Sequence, residues 1–283
     1  MSGRLREIAR QTVAIADSGR YRNGAGDEVG IGEVVRAAVA GTRLYLPDEV
    51  PAVGNAEPGA GRVEVTYEST LQAARRLAPG AACLVFASAK NPGGGFLGGA
   101  KAQEESIARS SALYPCLLAA REFYAFHREQ RDLRYSDRVI FSPDVPVFRD
   151  DRGNLLDQPH TTSFLTAAAP NLGAILRNQP EHVADVPAVL ARRARRVLEV
   201  AAAHGHRTLV LGAWGCGVFR NDPATVADVF AHALREVDRF DHVVFAIRDN
   251  LPGTPVYRTF AERFPGTATD PRSVSPQVQA TSA

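Results

Sequence analysis

The chain has 283 residues, 45% of them hydrophobic and 23% charged, with a formal net charge of +2. That is enough apolar sequence to bury a sizeable core, and too little net charge to attract nucleic acid through a global field, so no direct DNA binding is expected. No apolar run approaches the ~18 residues that span a bilayer, and the N-terminus lacks the apolar core of a signal peptide; a soluble, cytoplasmic monomer with no membrane contact is expected.

Arg4 to Ala16 reads as a helix and Gly32 to Ala40 as a second. Pro47 to Gly61 is rich in Pro and Gly and reads as loop. "RVEVTY" (62–67) then reads as a strand and "STLQAARRLA" (69–78) as a helix. "ACLVFASA" (82–89) is a continuous apolar run bounded by turn residues, as expected of a strand buried on both faces. A glycine-rich loop follows, then helices from Gln103 to Ser111 and from Leu117 to Glu129. "DRVIFSPDVPVFRD" (137–150) reads as strand, turn and short strand, and "HTTSFLTAAAPN" (160–171) as strand and loop.

Pro187 to His204 reads as a long helix. Leu190, Ala194, Val197, Leu198 and Ala201 recur there at helical spacing. This places the arginines of "ARRARRVLEV" on a solvated face rather than in an RNA-binding patch. All but two of the 33 basic residues in the chain are arginine, which fits a coding bias. "RTLVLGAWGCGVFRNDP" (207–223) reads as strand, glycine loop and helix start, with Asp222 as N-cap and Pro223 at the first position. "DHVVFAIRDN" (241–250) is a strand and "PVYRTFAERF" (255–264) a helix. Residues 266–283 have no periodicity and are expected to be a disordered tail.

Strands alternating with helices indicate an α/β fold. Residues 1–60 are expected to be an N-terminal helical extension packed on a core of residues 61–265. In such sheets ligands bind at the carboxyl ends of strands, so the two glycine loops are placed to line one cleft.

Cys83, Cys116 and Cys216 form no CxxC pair, which argues against a disulfide scaffold or a structural zinc site. His204 and His206 are close in sequence but lack further ligands. No metal and no cofactor are expected.

The first glycine loop is "AKNPGGGFLGGAKAQEES" (89–106). Gly93, Gly95 and Gly98 match the spacing of a dinucleotide fingerprint. However, Lys90-Asn91-Pro92 separates them from the strand, and the acidic partner of that fingerprint has no clear strand-end candidate. Glu104 and Glu105 open the next helix. A phosphate nest gains nothing from two carboxylates, whereas a sugar site does: carboxylates accept hydrogen bonds from hydroxyls and can protonate a leaving oxygen. Glutamate is also favoured at a helix start by the macrodipole alone. The dipole favours ionisation, whereas a general acid at neutral pH needs a raised pKa. Asn91 can bind sugar hydroxyls. In "GAWGCGVF" (212–219), Gly215 and Gly217 suit a diphosphate cradle, and Phe219 can pack on a sugar or base. Phe219, Phe245 and Tyr257 all remain candidates for an adenine contact.

"GGGFLGGAKAQEE", three glycines followed after seven residues by Gln-Glu-Glu, resembles the signature of poly(ADP-ribose) glycohydrolases. "NPGGG", "TAAAPN" and "GAWGCGVFRNDP" fit the bacterial-type branch, and the resemblance covers roughly Arg4 to Phe264. It implies a macrodomain-like three-layer α/β/α fold with a mixed central sheet. It implies poly(ADP-ribose) and ADP-ribose as ligands, and cleavage of ribose–ribose bonds mainly from chain ends. Glu105 is the implied catalytic acid, protonating the 2′ oxygen of the departing unit. Glu104 is implied to orient the reacting ribose and Asn91 to bind it, with Gly93, Gly94 and Gly95 close to the diphosphate and ribose. Gln103 of the same signature joins the substrate-binding set. Gly215, Cys216, Gly217, Val218 and Phe219 are implied to cover the diphosphate, with Phe219 against the ribose. No metal is implied.

Three other readings remain. A macrodomain that binds ADP-ribose without cutting it explains the glycine loops but not the paired glutamates. A cysteine hydrolase needs Cys216 as nucleophile and His160 as base. A nicotinamide oxidoreductase needs hydride transfer.

Overall fold

The frame of the molecule is a seven-stranded sheet whose central strands are buried on both faces. The computed structural model describes residues 2–49, 52, 54 and 57–265. Its strands are β3 (Arg43–Tyr45), β4 (Arg62–Thr66), β5 (Ala81–Phe86), β6 (Val139–Arg149), β7 (Leu155–Ala167), β8 (Thr208–Leu211) and β9 (His242–Ala246), in the spatial order β3-β6-β7-β5-β8-β9-β4. The β3–β6 and β6–β7 pairs are antiparallel and the other four pairs parallel. A small separate hairpin, β1 (Arg20–Arg22) with β2 (Glu28–Gly30), lies outside this sheet.

The pleat of β5 shows how the layers arise. Ala82 and Leu84 face one helical layer and Cys83 and Val85 the other, all fully buried. The first layer is built on α8 (Val186–Ala203), α9 (Pro223–Glu236) and α10 (Pro255–Arg263). The second is built on α2 (Gly32–Gly41), α3 (Thr70–Leu77), α4 (Gln103–Ser110), α5 (Leu113–Ala119) and α6 (Arg121–Glu129). This is the mixed three-layer α/β/α arrangement expected.

Most elements lie where the sequence places them. Asp222 caps α9, its Oδ2 accepting from Thr225 N at 2.8 Å, with Pro223 at the first position. Other features differ. The turn read inside 137–150 is a register irregularity in one continuous strand, β6, at Ser142 to Val145, where Asp144 takes φ 44°. A short helix, α7 (Leu172–Asn178), follows the loop after β7 and is capped by the Asn171 side chain. Two arginines of the 191–200 run are buried rather than solvated. Arg193 is 1% exposed and donates to Asp137, Ala168 O and Arg134 O. Arg196 donates to the carbonyls of Leu46 and Glu49. A guanidinium supplied with acceptors, as Arg193 is at Nε, Nη1 and Nη2, can enter a core that periodicity alone assigns to apolar side chains.

The expected tail, 266–283, and part of the 47–61 loop lie outside the described residues. Among the described residues no helix is long and apolar enough to cross a membrane, and no group of three or more His, Cys, Asp or Glu could hold a metal ion. The ring of His204 stacks on Phe141 at 3.6 Å and its Nε2 meets Tyr45 Oη at 2.8 Å, so the close histidine pair is built into packing.

The first sixty residues supply more than helices, because β3 is an edge strand of the main sheet. The first helix, α1 (Gly3–Ser18), is tied to the core by Thr12. This residue is 1% exposed, and its Oγ1 donates to Arg109 O at 2.6 Å and accepts from Arg149 Nε at 3.0 Å. Thr12→Val keeps the shape and strands both partners, so it is expected to cost about 1–3 kcal/mol, with Thr12→Ser restoring most of it; urea denaturation of the three proteins measures this.

Candidate active site

At the carboxyl ends of β5, β8 and β9 a cavity of about 800 Å³ opens between the helix layers. Its walls come from the start of α3 (Glu68 to Leu71), the residues into α4 (Lys101 to Ile107), the loop after β8 (Ala213 to Phe219) and the loop after β9 (Ala246 to Leu251). Convergence at the carboxyl ends of these interior strands is the strand-end rule in operation.

Helix α4 starts without a side-chain cap, because Ala102 sits at the N-cap. Its first turn carries Glu104 and Glu105, both lining the cavity. Each carboxylate is held through one oxygen by a main-chain N–H. Glu104 Oε2 accepts from Ser88 N at 2.6 Å, and Glu105 Oε1 accepts from Gly95 N at 3.0 Å. The second oxygens, Glu104 Oε1 and Glu105 Oε2, are buried and accept no hydrogen bond among the described residues. Both side chains are thus fixed in direction, each with an oxygen left for a ligand.

The glycine triplet makes this clamp possible. Gly94 takes φ +59°, and a Cβ there would lie against Glu105 Oε1 and close to Glu104 Oε2. Only glycine meets both demands. Gly93, Gly94 and Gly95 are not among the residues that line the cavity; they contact the carboxylates instead of forming its wall. Asn91 is exposed and likewise outside the lining, with its N–H donating to Ser88 Oγ at 3.2 Å.

Burial pushes the Glu104 carboxyl well above its ordinary range. The N–H groups of Ser88, Gly93 and Gly94 oppose that rise and the charge of Glu105 adds to it. Glu104, the inner of the two acids, therefore holds a proton more readily than an exposed carboxyl does, whereas the resemblance implies the proton-donating role for Glu105. Behind Glu105 stands Arg109, whose guanidinium burial pushes below its ordinary range while the Glu105 charge opposes that fall, with Nη1 donating to Ala100 O at 2.5 Å.

Gln103 lines the cavity, but its amide is occupied by the protein. Oε1 accepts from Phe86 N at 2.9 Å, and Nε2 donates to Leu84 O at 2.7 Å and Thr70 Oγ1 at 3.1 Å. It splices α4 onto the end of β5 rather than presenting a polar group to a ligand.

Across the cavity run Gly215, Cys216, Gly217, Val218 and Phe219. Gly215 takes φ +74°, and a Cβ there would collide with Asn221 Nδ2 and Ala169 Cβ. Asn221, 2% exposed, donates to Pro170 O and Gly215 O and fixes the loop. Val218 is 84% exposed. Phe219 is half-buried and lines the cavity. Phe245 and Tyr257, the other adenine candidates, are core residues: Phe245 stacks on Phe264 at 4.6 Å and Tyr257 meets Tyr67 edge-on at 5.7 Å. Burial pushes the Cys216 thiol up to about 12, aided by the Asp222 charge, and His160 does not line the cavity. That removes the cysteine-hydrolase arrangement.

Sequence reasoning missed the loop after β9. Asp249, 7% exposed, accepts from Leu251 N and Val256 N and so shapes that wall. The signal was available in "RDN" directly after a buried strand. Ser69 was missed too: it caps α3 at the cavity edge and donates to Asp151 at 2.6 Å.

The family model described as "Microbial-type PARG, catalytic domain" matches residues 9–150. The structure of a poly(ADP-ribose) glycohydrolase from Thermomonospora curvata is similar, with TM-score 0.86 and 50% identity, covering 93% of this chain and 100% of that one. The Thermomonospora curvata enzyme bound to the inhibitor ADP-HPD gives 0.84 and 51%, covering 93% and 100%. The enzyme from Deinococcus radiodurans in complex with ADP-ribose gives 0.76 and 46%, covering 81% and 96%. No protein in the curated set matches the chain.

Two outcomes follow from the clamp. Gly94→Ala displaces both carboxylates and is expected to lower kcat about 100-fold, the scale of a 1 Å misplacement, as measured by hydrolysis rate. Glu104 has a raised folded pKa, so above its ordinary value of 4.5 the unfolded chain releases a proton that the folded chain retains. Stability therefore falls as pH rises through that range toward the raised value. Glu104→Gln removes this slope, and urea midpoints from about pH 4 to about pH 8 should show the variant gaining on wild type as pH increases.

Proposed function

The chain belongs to the microbial-type poly(ADP-ribose) glycohydrolases and is a glycosidase that hydrolyses poly(ADP-ribose), and we propose that Glu105 is the general acid and base of that reaction, with Glu104 holding the reacting ribose. The supporting observation is the pair of clamped carboxylates, each with one enclosed oxygen unoccupied by the protein, at the wall of a cavity large enough for a nucleotide sugar.

Breaking a glycosidic bond builds positive charge on the ribose ring. Two carboxylates facing each other across the bond would share that task in an ordinary glycosidase. Glu104 and Glu105 are adjacent at one helix start and cannot flank a sugar. One acid/base therefore suffices, with the substrate's own diphosphate stabilising the oxocarbenium character. The Gly215–Phe219 loop holds that diphosphate with its main-chain N–H groups, and Phe219 packs against the ribose. Glu105 protonates the 2′ oxygen of the departing unit, then takes a proton from the attacking water.

Proton supply follows from the electrostatics of the pair. Burial raises the Glu104 carboxyl, and its unoccupied Oε1 is open to a ribose hydroxyl. The approaching diphosphate adds negative charge, which favours keeping a proton on the carboxyl pair. This reading offsets the opposing pull of the α4 dipole. Release of single ADP-ribose units from chain ends is part of the proposal. So is a cytoplasmic location, supported by three free cysteines.

Incubation with poly(ADP-ribose) and mass analysis of the products tests both parts. ADP-ribose is expected to accumulate from the start, and oligomers as first products would overturn the chain-end mode. Glu105→Gln is expected to lower turnover by about 10²–10⁴-fold while ADP-ribose binding by calorimetry is retained; undiminished turnover would remove Glu105 from the mechanism.

A further inference from the structure

Phe219 packs against Tyr135, ring centroids 6.0 Å apart. Tyr135 lies in the segment "RDLRYSDR" (131–138) between α6 and β6, and its φ is +60°. A bulky aromatic in the left-handed region is an outlier, and such strain persists only where the surroundings over-determine it. Here they do. Tyr135 N donates to Asp132 O at 3.2 Å. On one side, Arg134 O accepts from Arg193 Nη2 at 3.0 Å. On the other, Ser136 N donates to His127 Nε2 at 3.2 Å, with Ser136 Oγ 2.8 Å from the same atom. Asp137 pairs with Arg193 and Arg192. Arg193 and His127 are each 1% exposed, so the anchors are rigid core groups.

Arg193 also donates to Ala168 O at 2.5 Å, and the neighbouring Ala169 is, with Asn221, one of the two residues a Cβ at Gly215 would strike. One buried guanidinium thus holds the Tyr135 segment and the backbone beneath the second glycine loop. The Tyr135 hydroxyl makes no hydrogen bond among the described residues; its ring makes the contacts, with His127 edge-on at 5.8 Å and with Phe219.

We propose that Tyr135 is a positioning residue: the strained 131–138 segment holds its ring as a backstop that sets Phe219, and with it the Gly215–Phe219 loop, against the substrate ribose and diphosphate. The proposal rests on Phe219 facing the substrate, as read above.

Tyr135→Gly and Tyr135→Asn both remove the ring and suit the left-handed backbone, so loss of function need not follow from loss of fold. Tyr135→Phe keeps the ring. KM and kcat for poly(ADP-ribose), the ADP-ribose Kd and the Tm are measured for each. Both ring-less variants are expected to raise KM and Kd roughly fivefold or more, the scale of one aromatic pair, with kcat within about twofold and Tyr135→Phe like wild type. In a Phe219→Ala background the same substitutions should add no more than about twofold, because their partner is gone. An unchanged KM in the ring-less variants, while Phe219→Ala alone raises it, overturns the proposal, as does an equal loss in both backgrounds. If Phe219→Ala itself leaves KM unchanged, the placement of Phe219 on the ribose is what fails, and the proposal fails with it.

Discussion

The site depends on one arrangement: main-chain N–H groups from Ser88 and Gly95 hold one oxygen of each adjacent carboxylate. Everything nearby serves it. The loop can approach because Gly94 has no side chain. Helix α4 begins where it does because Gln103 is spliced to the end of β5 and to Thr70 of α3. Without that splice the glutamates would ride on a free helix end. With it, a strand, two helices and a loop fix two side chains that have, among the described residues, no charged partner of opposite sign in hydrogen-bond contact. The clamp is built from dipoles, which hold a direction without neutralising the group they hold. That leaves burial free to push the Glu104 carboxyl above its ordinary range.

The legible part of this structure was the part governed by short-range pattern. β5 was readable because a run buried on both faces has no polar residue to spare, and α9 because Asp222 and Pro223 mark its start locally. The carboxylate pair was readable from the three glycines and Gln-Glu-Glu together. What escaped was long-range. β3 is three residues long and becomes a strand only because β6, about a hundred positions later, lies beside it. Arg193 looked solvated by periodicity, yet its three acceptors come from residues scattered between 134 and 168. Phe245 and Tyr257 looked as available as Phe219; their burial is decided by α10 folding over β9.

The two glycine loops differ in kind. In the first, glycines let backbone reach protein side chains, and their conformations serve Glu104 and Glu105. In the second, Gly215 is demanded by Asn221 and Ala169 beneath it, while Gly217 and Val218 stand exposed at the cavity. One loop organises the acids and the other leaves main chain exposed at the cavity. Gly-rich composition alone does not distinguish these uses; contacts from the far side of each loop do.

The edge strand β3 has a consequence for synthesis. Tyr45 pairs with Val139 and Arg43 with Phe141, so the ribosome must add nearly a hundred residues before the N-terminal segment can enter the sheet. Thr12 waits as long for Arg109 and longer for Arg149. During that interval the amphipathic first helix and the strand have no native surface to cover them. Domains generally fold as units during synthesis, and contacts this distant in sequence slow the step. β4 waits longer still, because Arg62 pairs with His242 and Thr66 with Ala246, so both edges of the main sheet come from early residues that must await late partners.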